Sequence, residues 1–196
     1  MSTSPSWSLR TARVLPLGLL ILAISGCGSL LTFTPERAAV EVLLGPPETT
    51  GRTENITPGS VKVAQTQDWR EGYMVAVTFN ATEPQTGLLD CLYIFEATRA
   101  QSRWVAYPQE RDCGPAGGNG EAYQQLQSQM WGTDIPGMSI AYGLVYDTNI
   151  HTLDILWEDG ERETIAVING TYIWVREGVH DAVLVRPLDE NGDLIK

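Results

Sequence analysis

Apolar and polar positions along the chain follow three patterns, each predicting a different element. Val14 to Ile24 (VLPLGLLILAI) carries no charge or polar side chain, and Ser25, Gly26 and Cys27 follow it directly. A helical period comes next. Ala39, Val42 and Leu43 share a face, Thr34-Pro35-Glu36 supplies a hydroxyl cap, a proline at the first helical position and an acid in the first turn, and Gly45-Pro46-Pro47 stops the run. Residues 48–60 turn polar and read as a loop. From there the period is two. Tyr73, Val75, Val77 and Phe79 alternate with Met74, Ala76 and Thr78, and Cys91, Tyr93 and Phe95 alternate with Leu92, Ile94 and Glu96. Residues 103–107 read as a third strand and 114–120, with four glycines, as a flexible loop. Residues 121–131, aligning Ala122, Leu126 and Met130, read as a short helix, and Asp134-Ile-Pro-Gly137 as a break.

Beyond residue 138 the expectation is a β-meander. Strands over 139–146, 152–157, 161–168, 172–176 and 182–188 are punctuated by Asp159-Gly160, Asn169-Gly170 and Asn191-Gly192. The fold class expected is mainly β (α+β overall), with antiparallel sheets, a sandwich-like C-terminal part and one N-terminal helix. The expected organisation is a leader over 1–26, a tether over 27–34, an α+β region over 35–132 and an all-β region over 138–196. The last two are able to share one core. The closing pattern, Tyr142-Gly-Leu-Val-Tyr-Asp147 with the three turn dipeptides, resembles one in uncharacterised extracytoplasmic bacterial proteins. Turn dipeptides between strands are not a specific signature.

The N-terminus carries more information. Arg10 and Arg13, with no acid among the first 13 residues, precede an apolar run of eleven residues. As a helix that run spans roughly 16 Å, short of the ~30 Å hydrocarbon core of a bilayer, and small residues follow it, which is the anatomy of a secretory signal segment. Ile24-Ser25-Gly26-Cys27 resembles the lipobox of bacterial lipoproteins: an aliphatic residue, two small ones, then cysteine. The resemblance implies a diacylglycerol on the Cys27 sulfur, cleavage between Gly26 and Cys27, and a membrane-lipid partner through that anchor. Gly28 stands where an aspartate is associated with inner-membrane retention in Gram-negative cells, so the implied location is a cell membrane or outer membrane, on its extracytoplasmic side. Residues 28–34 then reach about 24 Å if extended.

Composition narrows the chemistry. Thirteen Lys+Arg stand against 24 Asp+Glu, a net charge of −11, and loss of Arg10 and Arg13 would leave eleven against 24, or −13. A chain this acidic is not expected to bind nucleic acid. With Cys27 lipidated, Cys91 and Cys113 remain, an even pair expected to form a disulfide outside the cytoplasm. The two histidines, His151 and His180, do not accompany a Gly-x-Ser-x-Gly elbow, and two histidines with a bridged cysteine pair are too few for a zinc site. Asp189, Asn191 and Asp193 resemble the first half of a calcium loop, but Leu194 holds its sixth position and the sequence ends before a twelfth. Glu158, Asp159, Glu161 and Glu163 read as a solvated strand face beside a tight turn. No metal or other cofactor is expected, and no catalytic residue is assigned. Tyr172 and Trp174, two apart on one strand, are the candidate binding patch, able to stack a sugar ring or a partner side chain, with core packing as the competing explanation. The function expected is a non-catalytic binding or assembly module on an envelope protein or glycan. A cell-envelope hydrolase using carboxylates is the alternative.

Overall fold

In the computed structural model the described residues are 34–130 and 137–195. The leader, Cys27, most of the tether, Trp131 and residues 134–136 of the expected break lie outside them. Helix α1 (Pro35–Leu44) starts as its sequence predicts. The Thr34 hydroxyl accepts the Arg37 N–H at 3.2 Å, and Gly45 closes the helix onto the Val42 carbonyl. A side-chain cap of this kind is worth about 1 kcal/mol. A four-residue turn of helix, α2 (Pro47–Thr50), follows.

Eleven strands build three antiparallel sheets among the described residues. In the first, β3 (Gly72–Glu83), β4 (Gly87–Ala100) and β5 (Arg103–Pro115) run side by side, and both β1 (Asn55–Ile56) and β2 (Lys62–Trp69) pair with β3. The second sheet has the order β10 (Thr171–Glu177), β7 (Met138–Leu144), β6 (Leu126–Met130). The third has β11 (Ala182–Leu188), β8 (Thr152–Trp157), β9 (Arg162–Ala166).

Side-chain alternation stacks these elements. Val75, Val77 and Phe79 of β3 with Cys91, Tyr93 and Phe95 of β4 meet Ala38, Ala39 and Leu43 of α1 in one apolar layer. The opposite faces of the same strands, Met74, Ala76, Leu92 and Ile94, pack on Ile140, Tyr142, Leu144, Ile173 and Val175 of the second sheet. That sheet's far face, with Ala141 and Tyr172, packs on Leu153, Ile155, Trp157, Ile165 and Val185 of the third. The chain is therefore mainly β and sandwich-like, and residues from both expected regions contribute to the middle layer.

The register joins Cys91 directly to Cys113 across β4 and β5, and the two form a disulfide with Cα atoms 4.1 Å apart. Beside Tyr172, Gly143 of β7 admits a close approach. A Cβ there would stand 2.4 Å from the Gln124 carbonyl and 2.7 Å from the Tyr172 ring.

Two expectations are corrected. Residues 121–130 are extended rather than helical: Leu126 to Met130 pair with Tyr142 to Met138, and the Ala122 carbonyl accepts the N–H groups of Tyr146 and Asp147. The i, i+4 apolar spacing was helical, but β7 had backbone groups to satisfy and tertiary pairing prevailed over local preference. The C-terminal strands are also not a meander. β8 and β9 form the hairpin across Asp159-Gly160, yet β10 leaves β9 to pair with β7, and β11 returns to pair with β8. β10 is apolar on both faces, through Tyr172 and Ile173, and only the middle sheet covers both. β9 exposes Arg162, Thr164 and Ala166 and suits an outer edge.

Replacing Cys91 and Cys113 together by alanine is expected to lower the unfolding free energy by about 3 kcal/mol, from the loop that the bridge closes. Urea denaturation of the variant and the wild type would measure it, and an unchanged midpoint would count against a stabilising bridge.

Candidate functional site

A cleft of about 660 Å³ opens where the end of β5 meets residues 121–126, and Asp112, Gly114, Glu121, Tyr123 and Gln124 line it. Sheet register explains its chemistry. Glu110 and Asp112 lie two apart on β5, opposite Ile94 and Leu92, so both side chains leave the face that meets the second sheet. Glu110 accepts hydrogen bonds from the hydroxyls of Ser128 and, at 3.5 Å, Tyr142. Asp112 accepts one from the Gln124 amide at 3.1 Å, whose own carbonyl oxygen receives the Leu144 N–H at 3.3 Å. The acids thus brace β5 against β6 and β7.

Electrostatics follow from burial. Asp112 has its pKa raised by desolvation, which the Gln124 hydrogen bond opposes. The Tyr146 phenol is pushed up to about 12, first by burial and then by the negative charges of Asp90, Asp112 and Glu121, and its hydroxyl is buried without a hydrogen-bond partner. Tyr142 is raised as well, by burial and then by Glu110 and Asp112. Gly118 permits this packing: its φ is +72°, and a Cβ would fall 2.3 Å from the Tyr146 ring. The cleft is thus a partly desolvated acidic hollow, complementary to a neutral or cationic hydrogen-bonding group.

The residues singled out from sequence fall elsewhere. Tyr172 is wholly buried (0% exposed) with its hydroxyl donating to the Gln124 carbonyl at 2.9 Å, and Trp174 is half-buried against the same core. The expected aromatic patch is therefore corrected: β10 lies in the middle sheet, and Tyr172 has no ring face for a ligand. Glu158, Asp159, Glu161 and Glu163 do gather at the β8–β9 turn, but around protein groups. Arg176 binds Asp159 and Glu161, each at 2.8 Å, and stacks 5.1 Å from the Trp157 ring, while Glu163 accepts the Trp157 indole N–H at 2.7 Å. The Glu161 N–H, then burial against it, then Arg176 and His180 act on Asp159, with a net lowering of its pKa.

His180 lies 3.6 Å from Asp159 through Nδ1, and its backbone N–H, not its ring, reaches the Ser139 hydroxyl at 2.8 Å. That hydroxyl donates to the Gly178 carbonyl, so the pair is not a nucleophile and its base. His151 pairs through its backbone with Leu188 and Val167. Asp189 turns its carboxylate onto the N–H groups of Asn191 and Asp193, both at 2.9 Å, and these bonds, the Asp193 one foremost, hold its pKa down. No group of three or more His, Cys, Asp or Glu side chains among the described residues converges to hold a metal ion.

Sequence reading missed Glu110 and Asp112 because it ended the third strand at residue 107, and Gln124 because it placed residues 121–131 in a helix; Tyr146 fell inside an expected strand without a role. Extending that strand would have put Glu110 and Asp112 on one face. No protein family, curated protein or solved structure matches the chain.

Asp112→Asn is expected to raise the melting temperature at pH 7, because the folded state no longer holds a desolvated charge. The folded pKa is the higher one, so the native protein loses stability as pH rises through the interval between the unfolded and folded values. The variant's advantage should therefore disappear below about pH 3.9, the ordinary aspartate value. Calorimetry at the two pH values checks it, and an equal gain at both would refute the cause.

Proposed function

We propose that this chain is a lipid-anchored, extracytoplasmic envelope protein whose β domain acts as a non-catalytic binding or assembly module for an envelope protein or glycan. One observation carries the binding part. The cleft at the end of β5 is polar and acidic, through Asp112 and Glu121, yet Asp112 is already engaged by the Gln124 amide. Acids spent on bracing the sheets suit recognition of a neutral or basic partner better than proton transfer, for which a carboxyl group must reach the substrate. The lipobox-like Ile24-Ser25-Gly26-Cys27 supports the anchor. No helix among the described residues is long and apolar enough to cross a membrane.

A carboxylate hydrolase is the second reading, favoured by the raised pKa of Asp112 inside a cleft. The two differ in outcome when the protein is incubated with isolated cell envelopes. A binding module sediments with them and releases no reducing sugar. Release of reducing ends that Asp112→Asn abolishes would establish the hydrolase instead.

The anchor has its own test. Cys27→Ser is expected to abolish metabolic labelling by a lipid precursor and to move the protein out of the lipidated membrane fraction. Undiminished labelling would remove the lipobox reading.

A further inference from the structure

We propose that the β4–β5 turn, Arg99 to Arg103, is the surface that rests on anionic lipid headgroups and points the acidic cleft away from the membrane. This rests on the anchor reading above.

The first sheet is electrically polarised along its strands. At one end the β4–β5 turn carries Arg99 and Arg103, both exposed; the pairs Arg99–Trp104 and Ala100–Arg103 place them on opposite faces of the sheet, one on each side of the turn. No acid occurs from Ala97 to Gln109. Beneath the turn lie two half-buried aromatics, Tyr73 and Trp104, in edge-to-face contact at 5.4 Å, and Tyr107 on the same strand is 52% exposed. The neighbouring β2–β3 turn adds Arg70, stacked 4.9 Å from the Trp69 ring and 3.8 Å from Glu177, together with Asp68 and Glu71. The positive charge of that end is therefore concentrated at the tip of the β4–β5 turn, where Arg99 and Arg103 flank it from the two faces.

The other end is acidic. Glu83, Asp90, Asp112 and Glu121 lie there, around the β3–β4 turn and the cleft. β5 runs from Arg103 past Asp112, nine residues on, so the basic turn and the cleft stand about 30 Å apart at the rise of an extended strand.

The chain enters the domain on the basic side of the sheet's middle. Glu36 in the first turn of α1 accepts a hydrogen bond from Thr66, which is level with Val75, Phe95 and Pro108 and three residues from the end of β2. After α1 the chain is already further toward the acidic end, where Arg111 holds the Gly51 carbonyl and the Tyr93 hydroxyl donates to Glu54. By strand rise and spacing the β4–β5 turn lies about 20 Å from Glu36, within the ~24 Å that residues 28–34 can span. A tether this short holds the domain against the lipid surface. An anionic surface then attracts the tip of the turn with its two arginines, near aromatics of the kind that favour the interface, and repels the acidic end. Each arginine near such a surface biases the orientation about fivefold.

The test uses the full lipidated protein, reconstituted into vesicles of phosphatidylcholine alone or of phosphatidylcholine with phosphatidylglycerol. Hydrogen exchange over residues 98–105 is expected to slow by about fivefold or more on the anionic vesicles. The double variant Arg99→Glu/Arg103→Glu should lose that protection, while Lys62→Glu/Arg162→Glu, with the same change in charge elsewhere, should keep it. Mass spectrometry of the same samples reports the acyl group on Cys27. Acylated protein whose exchange over 98–105 is equal on both vesicles overturns the orientation alone. Protein with no acyl group on Cys27 overturns the anchor reading and the orientation with it.

Discussion

Strands β7 and β10 of the middle sheet are covered on both faces, and most of the architecture follows from that constraint. Ile140, Tyr142 and Leu144 of β7 press on the first sheet while Ala141, between them, meets the third. β10 divides in the same way, Ile173 and Val175 to one side and Tyr172 to the other. A strand buried on both faces needs apolar residues at consecutive positions and a neighbour for every backbone group. β10 therefore cannot remain beside β9, whose alternate residues are polar, and the crossover to β7 is the arrangement that covers it. The same requirement draws residues 121–130 into an extended edge along β7, where a helix would leave the Leu144, Tyr146 and Asp147 N–H groups without their partners.

The acidic cleft is a consequence of this stacking rather than an independent feature. β5 runs past its apolar positions and carries Glu110 and Asp112 into the junction with the second sheet, where water is partly excluded. Such acids require donors, and Ser128, Gln124 and Tyr142 provide them from β6, the segment before it and β7. The cross-strand bridge from Cys91 to Cys113 fastens β5 next to Asp112. Structure and electrostatics are thereby coupled: the groups that hold the layers together also give one end of the domain its negative character, while the arginines of the β4–β5 turn lie at the far end of the same strand.

Legibility in the sequence varied with how local each cause was. The α1 cap, the Asp159-Gly160 hairpin and the cores of β3, β4, β8 and β10 could be read because each depends on neighbouring residues: a hydroxyl before a proline, a turn dipeptide, an alternation of apolar side chains. The cleft could not. Gln124 and Asp112 are twelve residues apart and Tyr142 and Glu110 thirty-two, and no local pattern marks which carboxylate meets which phenol. Tyr172 shows the same limit in reverse. Its alternation with Ile173 was visible, but whether it faced solvent or another sheet depended on a layer built from residues 152–185.

Sequence by itself determined the elements whose physics is local and one feature of chemistry: a mainly β chain with a capped N-terminal helix, and an even cysteine pair suited to a bridge. Tertiary structure alone decided the strand order, the burial of Tyr172 and the gathering of Glu110, Asp112 and Tyr146 beside the bridge. The reason is that burial is collective. A residue's period shows that it has an inside, but which neighbour forms that inside is selected by the stack of sheets able to cover every apolar face and pair every backbone group at once.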